Sequence, residues 1–253
     1  MPAEAALGAV AVIPARFAST RLPGKPLLAE TGRPLIQHVW EQVRRAVTIG
    51  RVIIATDHDG IASAARDFGA EVAMTRDDHV SGTDRVAEVA AGLNEAYVLN
   101  VQGDEPEVDP GDLDRLVRRL ATGAEPLVTL ARPLGPDEGR LLADPNAVKV
   151  VLDDADRALY FSRSPIPHGT DPVGAWLHLG VYAYRREALL EFAAAPPAAL
   201  ERRERLEQLR ALARGTAIGV VRTSQHALGI DTPDDYARFV ERFGARPSPP
   251  GTS

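Results

Sequence analysis

The chain contains no cysteine. That absence removes disulfides, thiolate catalysis, zinc knuckles and iron–sulfur clusters from consideration. Its six histidines are scattered without the spacing of a zinc site. No stretch approaches the ~20 apolar residues of a membrane-spanning helix. Broad positive charge is missing as well: 35 acidic residues against 29 basic ones leave a formal net charge of -6, which speaks against a general nucleic-acid binder. The sequence has no GxxxxGK[ST], GxGxxG or GxSxG, so P-loop hydrolysis, Rossmann dinucleotide binding and serine-hydrolase chemistry lose support. The opening MPAEAALGAVAVIPAR carries an acidic residue before a short apolar run that Pro14 interrupts, unlike a secretory signal. A cytoplasmic location is the expectation. No linker-like shift in composition divides the 253 residues, so a single domain through residue 244 is expected, followed by a disordered Pro/Ser-rich tail at 245–253.

What is present is concentrated near the amino end. Ala9 to Ile13 is a continuous run of small apolar residues, the mark of a strand buried on both faces of a parallel sheet. Directly behind it, IPARFASTRLPGKPL (Ile13 to Leu27) packs Arg16, Arg21 and Lys25 into a Gly/Pro loop. Ligands of such sheets bind beyond the carboxyl ends of the strands, and Arg and Lys make strong charge-assisted bonds to phosphate oxygens. The loop is therefore a candidate polyphosphate grip. A solvated basic surface loop is the plain alternative.

Apolar runs alternate with helix-period segments up to about residue 125, which predicts β-α units in a mainly parallel sheet. Strands are expected at 9–14, 51–56, 71–74 and 97–102. Helices are expected from Pro34 through Val47, from a cap at Asp57 or Asp59 through Phe68, from a cap at Thr83 through Leu93, and from Pro110 onward. Beyond 125 the pattern predicts strands at 127–131, 147–152, 158–162 and 177–184, with a tight turn at Asp153 to Asp156, as an antiparallel extension of the sheet. LERRERLEQLRALA at 200–213 reads as one mostly solvated helix with Leu206, Leu209 and Ala213 as its apolar stripe.

Four constellations carry chemistry, each with a plainer reading beside it. GDEP places Asp104 and Glu105 behind the strand YVLNVQ, where one of them can bind a metal or simply form a turn. GIDTPDD places Asp231 at a helix start, as a metal ligand or a cap. TRDDHVSGTDR offers Ser81, Gly82 and Thr83 ahead of a helix, suited to a base or phosphate, although a plain N-cap explains Thr83 equally well. In HLGVYAY, alternation puts His178, Gly180, Tyr182 and Tyr184 on one face, near Arg163 at the end of the preceding strand. They suit a hydroxylated, anionic acceptor or a structural role. Three D-x-D pairs, Asp57/Asp59, Asp112/Asp114 and Asp154/Asp156, each have a local explanation as cap, helix surface or turn.

Taken in order, IPARFASTRLPGKPL, ATDHD, DDHVSGTDRVAEV, VLNVQGDEP, DPNAVKVVLD, ALYFSRSPIP, HLGVYAYR, LEQLR and GIDTPDD resemble the 3-deoxy-manno-octulosonate cytidylyltransferase family over roughly residues 9 to 240. The resemblance implies a Rossmann-like nucleotide-diphospho-sugar transferase α/β fold. It implies transfer of CMP from CTP to the acidic sugar Kdo with Mg²⁺, release of pyrophosphate, a role in lipopolysaccharide synthesis and a homodimer, with about 153–213 forming the sugar-side and dimer lobe. By matched position, Arg16 and Lys25, helped by Arg21, look like the triphosphate grip. Ser81, Gly82 and Thr83 look like the cytosine pocket, Gln102 lies between nucleotide and sugar, and Asp104 and Asp231 look like the Mg²⁺ ligands. Arg163, His178, Tyr182, Glu207 and Gln208 look like the sugar site.

Two departures fall on the sugar side. Only His168 to Trp176 separates Pro167 of the SRSPIP block from Leu177, where the family has a longer segment, and AALERRERLEQLR replaces the family's Ser-Pro-Leu-Glu helix entry. The alternatives are CMP transfer to another acidic sugar, a nucleotide-sugar-dependent glycosyltransferase using Asp57 and Asp59, and a catalytically silent nucleotide-binding regulator.

Overall fold

The computed structural model describes residues 7–18, 22–225 and 229–244. β1 (Ala9–Ala15) is buried along its whole length. It pairs in parallel with β2 (Ile49–Thr56) on one side and with β4 (Tyr97–Asn100) on the other. The sheet runs β3-β2-β1-β4-β8-β5-β9, with β3 at Glu71–Met74, β5 at Leu127–Pro133, β8 at Trp176–Arg185 and β9 at Ile218–Arg222. All strands on this path share one direction except β8, which is antiparallel to both β4 and β5. A hairpin of β6 (Lys149–Leu152) and β7 (Ala158–Ser162) continues from the amino end of β8. The expected parallel sheet with an antiparallel extension is what the chain forms.

Alternation along β1 sorts the two faces. Ala9, Ala11, Ile13 and Ala15 pack with Ile36, Val39, Trp40 and Val43 of α1 (Leu35–Val43), Ile61 and Ala65 of α2 (Asp59–Asp67), and Leu113, Leu116, Val117 and Leu120 of α4 (Pro110–Thr122). Val10 and Val12 face the opposite core, with Val86, Ala87 and Ala90 of α3 (Gly82–Ala91) and with Phe161 of β7. Because the chain passes from β1 to β2 in one direction and returns through β3 and α3 to β4 in the other, the strand order reverses between β1 and β4. A crevice opens at the carboxyl ends of such a pair.

Several element ends differ from expectation. α1 stops at Val43 rather than Val47, since the amides of Val47 and Thr48 turn to donate to the Asp114 carboxylate at 3.2 and 2.8 Å. The cap of α2 is His58, whose Nδ1 accepts from the Gly60 amide, not Asp57 or Asp59. Asp57 instead accepts from the fully buried Arg85 at 2.9 Å. Ser81, not Thr83, caps α3 in a reciprocal box with Asp84, and that helix ends at Ala91 rather than Leu93. β4 ends at Asn100 and β6 starts at Lys149, each two residues inside its expected span.

The charged segment at 200–213 is not one solvated helix. It divides into α7 (Ala199–Glu204) and α8 (Leu209–Ala213) around Arg205, which takes the left-handed conformation at φ 56°. On its buried face Arg210 donates two hydrogen bonds to the Glu201 carboxylate, from Nε at 2.9 Å and from Nη2 at 2.5 Å, while Ala213 is exposed. Three short elements had no expected counterpart: α5 (Gly139–Ala143), α6 (Arg186–Ala194) and β9. The tail at 245–253 lies outside the described residues.

α9 (Pro233–Phe243) settles the ambiguity at GIDTPDD. The Thr232 hydroxyl accepts from the Asp235 amide at 3.2 Å and the Thr232 amide donates to Asp235 at 2.8 Å, so the cap is Thr232. Urea unfolding of Thr232→Ala is expected to show a loss of about 1 kcal/mol, whereas the half-exposed Asp231→Ala changes stability by less than about 0.5 kcal/mol. The reverse ranking would return the capping role to Asp231.

Candidate active site

The crevice at the switch point is a cleft of about 370 Å³. The end of β1 lends it Pro14, Ala15 and Arg16, the tight turn Lys25–Leu27 lends Lys25 and Pro26, the start of α3 lends Gly82, and the end of β4 lends Gln102, Gly103 and Asp104. Two glycines are required by this geometry. Gly24 adopts φ 67° just before Lys25, a left-handed conformation that side chains disfavour. Gly103 lies so close to β1 that an added Cβ would meet the Pro14 carbonyl oxygen at 2.9 Å. A larger hollow of about 500 Å³ lies among Arg33, His38, Glu107 and Arg242. Of the three arginines that line it, Arg33 pairs with Glu41, Arg242 with Glu107, and Arg45 donates to Gln42 at 2.9 Å.

Lys25 ties the amino-terminal loop to both distant acids. Its ammonium donates to Asp104 Oδ2 at 2.6 Å and to the Ile230 carbonyl at 2.7 Å, and lies 3.6 Å from Asp231 Oδ1. The Ile230 amide in turn donates to the Asp104 carbonyl at 2.8 Å, which clips the start of α9 onto the end of β4. Arg16 lines the same cleft and donates to the Val80 carbonyl at 3.2 Å, tethering the segment that leads into α3. Arg21 lies outside the described residues.

The local negative charge exceeds what Lys25 neutralises. Glu105, next to Asp104 and packed against Gly229, has its carboxyl pushed up to about 8, first by burial and then by repulsion from Asp104 and Asp231, with Lys25 pulling the other way. Oxygen donors with surplus negative charge suit a hard divalent cation. Among the described residues no group of three or more His, Cys, Asp or Glu side chains could hold a metal ion, so the pair Asp104 and Asp231 would need phosphate oxygens to complete a shell. None of the three D-x-D pairs lines the cleft. Asp57 is held by Arg85, Asp112 by Arg115, Asp114 by the turn after α1, and Asp156 by Arg222.

The three residues at the start of α3 separate by role. Ser81 uses its hydroxyl as the cap, Gly82 lines the cleft, and Thr83 is buried with its hydroxyl donating to Glu207 at 2.8 Å. Thr83 thus connects the start of α3, at the cleft, to the segment between α7 and α8. In the strand β8, the His178 ring stands edge-on to Phe161 at 5.0 Å and 5.4 Å from Tyr182, with Nε2 3.0 Å from the Thr129 hydroxyl. Tyr182 is paired with Asn100 across the β4–β8 ladder. Gln208 is buried beside Glu207 in sequence. Arg163 directs its guanidinium to the carbonyls of Pro145, Glu204 and Arg205.

Three further polar residues in this region were not singled out in the sequence. Asn100 is a buried amide inside the apolar strand, and its presence in VLNV was the available signal. Glu204 accepts from the Ser162 hydroxyl at 2.8 Å and the Arg163 amide at 3.0 Å. Lys149 is fully buried and donates to the carbonyls of Asp144, Ala147 and Arg163.

The sequence and the fold both match those of known proteins. A cytidylyltransferase family model matches residues 10–218. The 3-deoxy-manno-octulosonate cytidylyltransferase of Syntrophotalea carbinolica is 48% identical over 241 residues, covering 90% of this chain and 95% of the relative. That of Myxococcus xanthus is 46% identical over 241 residues, covering 94% and 97%. The chain belongs to the 3-deoxy-manno-octulosonate cytidylyltransferase family. A solved CMP:2-keto-3-deoxy-manno-octonic acid synthetase, complexed with CTP, superposes with a TM-score of 0.88 at 39% identity, covering 93% of this chain and 98% of that one. A glucose-1-phosphate thymidylyltransferase from Bacillus anthracis, at TM-score 0.69 and 16% identity over 96% of this chain and 98% of that one, shares the fold alone. For this family member the sheet order, the switch-point cleft and the basic loop form one unit.

Burial holds the His178 ring down to about 3, so it is neutral at working pH. Because the folded state binds this proton less tightly than the unfolded state, its contribution to stability is complete above about pH 6.5 and declines as pH falls toward 3. An NMR titration should show flat His178 ring shifts between pH 8 and 5. An inflection near 6.5 would contradict the buried placement.

Proposed function

We propose that this chain is a nucleotidyltransferase that moves CMP from CTP to 3-deoxy-manno-octulosonate (Kdo), giving CMP-Kdo and pyrophosphate. The observation that carries the reading is the contact of Lys25 with Asp104 in the cleft beyond β1 and β4, with Asp231 3.6 Å from the same ammonium. Relatives named for this reaction match over most of their length, and the neighbour solved with CTP shares the fold closely.

In this reading a hydroxyl of the acceptor attacks the α-phosphorus of CTP in line. The new bond joins that oxygen to phosphorus, the bond from the α-phosphorus to its bridging oxygen breaks, pyrophosphate leaves, and the hydroxyl proton passes to solvent. Positioning and charge stabilisation supply most of the acceleration for such a transfer. Arg16 and Lys25 face the charge that develops on the leaving phosphates, a task that the sequence resemblance also gives to Arg21. Asp104 and Asp231 would hold Mg²⁺, which when bound lends Lewis acidity toward phosphate oxygens. Gly82 edges the base, with Ser81 and Thr83 behind it, and Gln102 stands at the seam between nucleotide and sugar. His178, Tyr182, Glu207 and Gln208 form the acceptor side, with Arg163 bracing the loop behind it.

The same reading takes the chain as a cytoplasmic homodimer that feeds lipopolysaccharide synthesis. Exposed Leu159, Val173 and Leu200 within the lobe at about 153–213 favour that lobe as the subunit contact. The glycosyltransferase alternative loses ground because Asp57 is engaged by Arg85 away from the cleft.

A pyrophosphate-release assay with CTP, Mg²⁺ and a panel of acidic sugars tests the assignment. Lys25→Ala and Asp104→Ala are expected to fold and to lose about 10²-fold to 10³-fold in turnover. Wild-type-like turnover in either purified variant would overturn it, and preference for another acidic sugar would reassign the acceptor.

A further inference from the structure

A directed chain of hydrogen bonds crosses from the acceptor side to the nucleotide side. A carboxylate can only accept, so the bond between Glu207 Oε2 and Thr83 Oγ1 at 2.8 Å uses the threonine proton. Thr83 Oγ1 is then left as an acceptor, and Asn100 donates to it through Nδ2 at 3.2 Å, with the Tyr184 hydroxyl as a further neighbour of the same oxygen. That choice turns Asn100 Oδ1 toward Gln102, which donates through Nε2 at 2.7 Å. Each link fixes the polarity of the next. The amide orientation of an isolated glutamine is ambiguous, but here the charge three links away decides it. The free end, Gln102 Oε1, lies over Gly82 in the wall of the cleft, 2.9 Å from where a Cβ on that glycine would stand, and accepts no hydrogen bond from the described residues. Asn100 and Thr83 are both buried, so water does not readily substitute for a missing link.

We propose that Thr83 and Asn100 are positioning residues which convert the negative charge of Glu207 into a fixed orientation of the Gln102 amide, so that its carbonyl oxygen faces the cleft as a hydrogen-bond acceptor. Resting on the nucleotidyltransferase reading, this assigns Gln102 a substrate group that donates a proton: the exocyclic amine of the base or a hydroxyl of the acceptor sugar. In the first case the same oxygen disfavours uracil, which presents a carbonyl where cytosine has its amine, and a mismatch of that kind leaves a polar group unpaired.

The test is Thr83→Val, which keeps the side-chain shape while deleting the hydroxyl, with Thr83→Ser as the rescue. Without the hydroxyl, Asn100 and Gln102 are released to turn over. If the donor is the base, the CTP-over-UTP ratio of kcat/KM falls about tenfold; if it is the acceptor, kcat/KM for the sugar falls about tenfold while KM for CTP holds, an effect of the size of one hydrogen bond. Thr83→Ser restores the affected ratio in either case. Both ratios within twofold of wild type in a Thr83→Val protein of wild-type melting temperature, or no recovery in Thr83→Ser, would overturn the proposal. Should Thr83→Val not fold, Asn100→Ser breaks the chain one link nearer the cleft and is judged by the same ratios. Failure of the underlying reading is separate: wild-type protein would release no pyrophosphate from CTP with any acidic sugar.

Discussion

The ammonium of Lys25 is the interaction on which the rest of the site depends. One cation reaches Asp104 at the end of β4, the Ile230 carbonyl at the entrance to α9 and the neighbourhood of Asp231. These groups are 79 and 205 residues away along the chain for the two direct bonds. With its side chain only 12% exposed, Lys25 acts where charge interactions are much less screened than at the surface. Two carboxylates, Asp104 and Asp231, face one fixed cation, and the neighbouring Glu105 is pushed up first by burial and then by their repulsion. On the proposed reading, that surplus is what a divalent cation and its phosphates would meet.

Sheet topology brings these groups together. β1 is the only strand flanked by β2 and β4, and the reversal of strand order there leaves its carboxyl end uncovered. β8 then carries the pattern across to the acceptor side. Its carboxyl half pairs with β4 and its amino half with β6, so Tyr182 faces Asn100 while His178 sits one step from the hairpin. The chain Gln102–Asn100–Thr83–Glu207 runs through this junction. The start of α3, the end of β4 and the segment between α7 and α8 therefore share one polar seam.

Much of this was legible in the sequence where local signals were redundant. β1 announced itself as an uninterrupted apolar run, and the Gly/Pro punctuation with Arg16 and Lys25 marked a loop that could not relax far from the strand end. β3 and β7 were bounded correctly because turn residues flank both. Caps were harder, since Ser81 and Thr83 both carry hydroxyls and only backbone geometry decides which one turns back on the helix. The 200–213 segment failed for a tertiary reason: its opposed charges suit a solvated helix, yet Glu201 and Arg210 spend theirs on each other inside the protein. β9 was hidden by Gly219, which weakens a strand pattern but here makes room for Arg119, whose Nε would stand 2.7 Å from an added Cβ. The polar seam was invisible for the same kind of reason, because Asn100 and Glu207 lie over a hundred positions apart and nothing local links them.

Diffraction from crystals grown with CTP and Mn²⁺, recorded for the anomalous signal of the manganese, tests the central claim most directly. The account predicts a single strong peak between Asp104 and Asp231, with the triphosphate along Arg16 and Lys25 and the base against Gly82. Nucleotide or metal bound elsewhere, such as in the hollow between Arg33 and Arg242, with the switch-point cleft left empty, would contradict it.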